Sequence, residues 1–185
     1  MIPVKNRRFF RAMGYCLLGV TVAAIPLYLA GYRINETDSL PPGIWRIVGS
    51  QGVAQRGDIV NFCPPNTDAL AVARARGYLH DGPCIGGLEP LFKPVVAVAG
   101  DRVEVTDAGI RVNGSLVANS APIAVDGRGD PMPHIERGLY RVEPGQAWMV
   151  SSYTAYSFDS RYFGPVDLSA VAGKAIPVWI MEPSP

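Results

Sequence analysis

From residue 13 to residue 32 the chain reads M-G-Y-C-L-L-G-V-T-V-A-A-I-P-L-Y-L-A-G-Y, without a single charged position. That run matches the ~20 apolar residues a helix needs to cross hydrocarbon, so it predicts one transmembrane helix over 13–32. Pro26 inside it is tolerable as a mild kink. Beyond residue 33 the pattern changes from a continuous apolar run to short alternating segments. Ile44 to Val48 reads as a strand, and R-G-D-I-V-N-F as a turn at Gly57 followed by a strand through Phe62. K-P-V-V-A-V-A, a turn at Gly100 and Asp101, and R-V-E-V-T set β-branched residues against polar ones and predict a hairpin. I-R-V and S-L-V flank Asn113 and Gly114, a type I′ hairpin signal. Strands resume at Gly138 to Val142, Gln146 to Ser151 and Ala175 to Ile180, whereas 119–137 mixes Pro, Gly and charge and reads as a surface loop. One soluble helix is expected, capped by Asn66 or Thr67, built from A-L-A-V-A-R-A-R and ended by Gly77. The fold class predicted is mainly β, with one N-terminal transmembrane helix and one short soluble helix.

Charge then orients the chain. Lys5, Arg7, Arg8 and Arg11 cluster before the apolar run. By the positive-inside rule residues 1–12 stay in the cytoplasm, 13–32 cross the inner membrane, and 33–185 form a single periplasmic domain. A cleaved signal peptide is the rival reading, against which stand the length of the run and the lack of a clear A-x-A site before Arg33. The formal net charge is only +1, so a nucleic-acid partner is not expected, and the lipid of the inner membrane is. Gly 20 and Pro 17 among 185 residues favour turns and short strands over helices.

Cysteine usage agrees with export. Cys16 lies in the apolar run, which leaves Cys63 and Cys84 on either side of the expected helix. They could form a disulfide in an oxidising compartment, remain two thiols, or contribute to a metal site with His80. Two cysteines and one histidine are a thin ligand set, so no metal and no cofactor are expected.

The candidate chemistry starts at Ser39, in T-D-S-L-P-P-G-I-W, a few residues past the apolar run. A serine hydroxyl needs a base to become a nucleophile. Only His80 and His134 could complete a Ser-His arrangement; each reads as a surface residue, and G-x-S-x-G and H-E-x-x-H are absent. Lysine is the remaining base. The chain has three lysines against fourteen arginines, and Lys93 alone lies in an apolar run, L-F-K-P-V-V-A-V-A. The reference pKa near 10.4 leaves fewer than roughly one lysine in a thousand neutral at pH 7, so Lys93 must be desolvated to act. The bland alternative is an amine that snorkels to the surface.

Four boxes, T-D-S-L-P-P-G, R-G-D-I-V-N-F, K-P-V-V-A-V-A-G-D-R-V and S-F-D-S-R-Y-F-G-P-V, occur in the order and with the internal spacing of those of type I signal peptidases. The chain resembles that family from the apolar run to about Val166. The Pro-Gly variant after the serine, F-C-P-P and R-G-Y-L look most like the conjugative-transfer signal peptidase subfamily, TraF. The resemblance implies Ser39 as nucleophile, Lys93 as general base, and Thr37 with the N–H of Ser39 as the oxyanion hole. It implies that Ser157 orients the lysine amine and that Asp159 and Arg161 brace the site, although an ordinary structural ion pair describes those two equally well. Leu40, where the housekeeping enzymes usually carry methionine, and Pro42-Gly43 depart from the housekeeping pattern and put that specificity in doubt, not the reaction.

The activity so implied is acyl transfer by a membrane-anchored Ser/Lys endopeptidase on a pilin precursor or another exported preprotein. Small residues such as alanine would precede the cut, and the ester would be resolved by water or by an amine that closes a ring. The alternatives are a general signal peptidase, an unrelated Ser-His hydrolase, or a non-enzymatic component of a secretion complex. The tripeptide R-G-D at 128–130 is too short to carry a function of its own.

Overall fold

The computed structural model describes residues 4–49 and 51–181. Residues 1–3 of the expected basic segment and residues 50 and 182–185 of the expected domain lie outside them. Helix α1 (Val4–Leu29) leads the chain and contains Pro26. Its bounds differ from the expected 13–32: it begins within the basic segment and ends three residues early. Gly31, at φ +90°, turns the chain, and its carbonyl accepts the Ile47 N–H at 2.9 Å. A Cβ there would stand 2.6 Å from the Ile47 carbonyl oxygen, so glycine is required at this close approach. Tyr32, expected as the last helical residue, therefore opens strand β1 (Tyr32–Asn35). Among the described residues no helix is long and apolar enough to cross a membrane, so a crossing within α1 finds no support at this level.

Ten further strands follow among the described residues. They are β2 (Gly43–Val48), β3 (Ile59–Phe62), β4 (Leu91–Val98), β5 (Arg102–Thr106), β6 (Gly109–Val112), β7 (Ser115–Leu116), β8 (Gly138–Arg141), β9 (Gln146–Met149), β10 (Val166–Asp167) and β11 (Val171–Ile180). Seven of the eleven strands form one antiparallel sheet in the order β1-β2-β11-β3-β4-β9-β10, and four form a second in the order β7-β6-β5-β8. The expected strands are present, with the mainly β class. The expected pairing of β4 with β5 is not. Gly100 is at φ +89° and donates its N–H to the Val142 carbonyl, while the Asp101 carboxylate accepts the Val98 N–H at 2.8 Å. This turn carries β5 out of the large sheet and into the small one, where it pairs with β6 and β8. At the expected type I′ turn, Asn113 and Gly114 both have positive φ, +50° and +88°.

Helix α2 (Asp68–Ala75) is the short soluble helix. Thr67 is its N-cap residue, but the side chain makes no capping bond and its buried Oγ1 has no partner among the described residues. Gly77 at φ +74° ends the helix as expected. Leu70 and Ala73 of α2 pack on Val60, Phe62, Leu91 and Met149 in the core beneath the large sheet. A second cluster, centred on Trp148, Val103 and Ile110, joins the two sheets. A disulfide links Cys63 to Cys84, which removes the free-thiol and metal readings. It clips the α2 segment to the end of β3. The third helix, α3 (Ser160–Phe163), is a single turn that the sequence reading did not anticipate.

Candidate active site

Ser39 sits in the connection between β1 and β2, which closes where Asn35 pairs with Gly43. Gly43 has φ +153°, and a Cβ there would lie 2.2 Å from the Trp179 carbonyl oxygen of β11. The Pro-Pro-Gly sequence thus ends the connection at the one residue that lets β2 enter the sheet against β11. Leu40 and Trp45 bury beside Ala175 and anchor the turn from below.

Lys93 comes from β4, whose residues alternate between buried and half-buried. Period-two geometry puts Leu91, Lys93, Val95 and Ala97 on the same buried face, so the amine is where an apolar side chain is expected. Its Nζ donates to Ser39 Oγ at 2.8 Å, a buried bond. Loss of water is the main cause that pushes the Lys93 pKa down to about 8; Arg161 acts in the same direction, and the Asp159 and Glu89 carboxylates oppose the shift.

Thr37 also bonds Ser39, Oγ1 to Oγ, at 2.9 Å, and stands on the exposed side of the turn. Ser39 and Lys93 are 7% and 5% exposed, yet both border a cleft of about 720 Å³ whose walls include Thr37, Tyr78, Met132 and Ser157. Serine, threonine and lysine are therefore brought together at an open cleft. Ser157 reaches the same wall, but its buried Oγ has no hydrogen-bond partner among the described residues. The expected bond from Lys93 to Ser157 is not formed; the amine bonds Ser39.

Asp159 and Arg161 are completely buried and paired at 2.8 Å and 2.9 Å through two parallel bonds. This is the bidentate geometry that makes a buried pair tolerable. The remaining guanidinium hydrogens go to the Ser151, Asn119 and Ala155 carbonyls, and the carboxylate accepts the Ser151 N–H at 2.9 Å. Ser151 in turn donates its hydroxyl to the carbonyl of Ser39 at 2.5 Å. The pair is therefore linked by hydrogen bonds to the Ser39 turn through Ser151.

Two participants escaped the sequence reading. One is Ser151. The other is Asn35, whose amide nitrogen bonds the carbonyls of Thr37 and Leu40 at 3.0 Å and whose oxygen accepts the Thr37 hydroxyl at 2.9 Å. An asparagine two residues before a candidate oxyanion threonine was the available signal. His80 is exposed and bonded to Glu89, and His134 contacts the Ile135 carbonyl; neither bonds Ser39.

This chain is a signal peptidase by family: residues 7–180 match the family described as Signal peptidase, peptidase S26, and the chain belongs to it. Its relatives narrow the likeness. It is 43% identical over 183 residues to a conjugal transfer protein TraF of Agrobacterium tumefaciens (strain 15955), covering 97% of this chain and 100% of that one. It is 42% identical over 183 residues to a probable conjugal transfer protein TraF of Sinorhizobium fredii (strain NBRC 101917 / NGR234), covering 97% and 95%. A plasmid transfer protein TraF of Escherichia coli is 38% identical over 175 residues, covering 92% and 97%. Among solved structures, a signal peptidase I of Enterococcus faecalis V583 matches at 19% identity and TM-score 0.38, over 66% of this chain and 96% of that one.

Proposed function

We propose that this protein is a serine endopeptidase in which Ser39 is the nucleophile and Lys93 the general base, and that it matures a pilin precursor during conjugative transfer. One observation carries the reading: a buried lysine amine 2.8 Å from a serine hydroxyl at the floor of an open cleft. Relatives named for conjugal and plasmid transfer support the biological setting.

In the proposed reaction neutral Lys93 takes the Ser39 proton as the oxygen attacks the scissile carbonyl. The Thr37 hydroxyl and the Ser39 N–H hold the developing oxyanion. The amine nitrogen, now an ammonium, returns a proton to the leaving amine, and an ester remains on Ser39. Ser157, whose hydroxyl on the same wall has no partner among the described residues, is the acceptor for a hydrogen of that ammonium. Water then hydrolyses the ester, or a substrate amine resolves it into a ring. The Asp159–Arg161 pair is the brace that holds this arrangement.

We also assign α1 as the inner-membrane anchor, with residues 1–12 in the cytoplasm and 33–185 in the periplasm. The uncharged run over 13–32 and the uncovered Val22, Ile25, Leu27 and Leu29 support that assignment. Anchoring would bring the cleft to a scissile bond beside a membrane-embedded segment.

Ser39→Ala and Lys93→Ala are each expected to abolish processing of a co-expressed pilin precursor, read by the mass of the mature pilin. Processing at the wild-type rate in Lys93→Ala would overturn the base assignment.

A further inference from the structure

The hydroxyl protons at Ser39 can be counted. Asn35 is 6% exposed, and its amide orientation is settled by its neighbours: Nδ2 lies 3.0 Å, 3.0 Å and 3.3 Å from the carbonyl oxygens of Thr37, Leu40 and Pro41. Swapping the amide atoms would set an oxygen against three oxygens. Oδ1 therefore faces Thr37, and since it carries no hydrogen, the Thr37 hydroxyl must donate to it at 2.9 Å. Thr37 has no second hydrogen for Ser39. The 2.9 Å contact between Oγ1 and Oγ must then be a bond that Ser39 donates. The Ser39 oxygen is left to accept from Lys93 Nζ at 2.8 Å.

In this register every proton runs away from the lysine, toward Asn35. Base catalysis needs the opposite direction, with the Ser39 hydrogen turned onto Nζ and the Thr37 hydrogen turned onto the substrate. Two hydroxyl rotations connect the registers, and neither breaks a covalent bond.

We propose that Asn35 is a positioning residue for catalysis: its Oδ1 holds the Thr37 hydroxyl beside Ser39, with its proton parked, until a substrate carbonyl draws that proton onto the forming oxyanion. The inference rests on the Ser39 and Lys93 reading above. The exposed position of Thr37 puts its hydroxyl where an entering carbonyl arrives, and the three amide bonds below hold the turn still. A donor already placed costs little reorganisation when charge develops. In the step itself the Ser39 O–H proton passes to Lys93 and the new C–O bond forms. The carbonyl π pair moves to oxygen, and Thr37 exchanges one acceptor for another.

A double-mutant cycle tests this, using kcat and KM on an internally quenched peptide with alanine before the scissile bond. Asn35→Ala is expected to lower kcat by about 10- to 100-fold with KM unchanged, and Thr37→Val by about 10²–10³-fold, as for loss of one oxyanion donor. In the Thr37→Val background, Asn35→Ala should cost less than about three-fold more, because the two act as one unit. A cost that is equal in both backgrounds, or a wild-type kcat in Asn35→Ala, overturns the proposal. If thermal melting shows that Asn35→Ala does not fold, Asn35→Ser, which lacks both amide atoms but keeps a small polar side chain in the buried site, takes its place in the cycle. Ser39→Ala is run alongside: activity there would sink the dyad reading itself, whereas an inert Ser39→Ala with an additive cycle sinks only the role of Asn35.

Discussion

At Lys93 the surrounding strands strip water from the amine and hold its pKa down at about 8, below the usual lysine value. Folded and unfolded chains both carry the proton below pH 8, so the full burial penalty applies there. Between pH 8 and about 10.4 the unfolded chain binds more protons, and stability rises with pH across that window. Under the proposed mechanism, kcat/KM should rise about ten-fold per pH unit up to pH 8 and level off above it. A flat profile from pH 6 to 9 would refute titration of this lysine. Lys93→Met should be inactive yet more stable at pH 7 by about 1–3 kcal/mol in urea denaturation, since one pKa unit corresponds to about 1.4 kcal/mol. Lys93 was legible in the chain as a candidate because a charged residue stands out in an apolar run. Asn35 and Ser151 were not, because their work is done by bonds to turn carbonyls, one of them spanning 112 residues, and no periodicity marks such bonds.

Among the elements, the segment between β3 and β4 is the one whose order depends on a covalent clip. The Cys63–Cys84 disulfide spans 21 residues and encloses α2 together with Tyr78, Leu79, His80 and Pro83, which line the cleft. Arg76 and Tyr78, just past α2, also bond the Asp126 carboxylate of the long 119–137 loop, tying two cleft walls to each other. Chain-entropy arithmetic gives such a bridge roughly 3 kcal/mol. Cys63→Ser with Cys84→Ser is therefore expected to lower stability by about that amount in urea denaturation, and to raise KM more than it lowers kcat, since the clipped segment borders the cleft but does not touch Ser39. An unchanged KM would show that this wall takes no part in binding substrate. The 119–137 stretch was read as a surface loop from its composition, and composition does not say that Asp126 pins it to α2.

At the scale of the molecule, two sheets share one chain, and the cleft opens where the connection from β1 to β2 meets β4 and the 151–158 segment. Helix α1 is joined to this body through the Gly31 turn and through Arg33, whose guanidinium lies 3.7 Å from the ring centroid of Tyr28. Few contacts cross that junction. A chain lacking residues 1–30 is therefore expected to cleave the soluble peptide at a rate within about three-fold of the full chain, while losing the proposed sedimentation with membranes. If the truncated chain still sediments with membranes, α1 is not the sole anchor.

The sequence by itself determined the strand segments, the short helix and the type I′ turn, and marked Ser39, Lys93 and Thr37 as candidates, because each depends on local periodicity, turn chemistry or an ordered set of short boxes. Tertiary structure alone decided that β11 runs between β2 and β3, that β4 and β5 part into different sheets, and that the Ser157 hydroxyl makes no hydrogen bond among the described residues. It also decided that Asn35 and Ser151 bond the carbonyls of the Ser39 turn. Those outcomes rest on pairings between distant segments and on the count of donors and acceptors in a closed space, and neither quantity exists until the chain has folded.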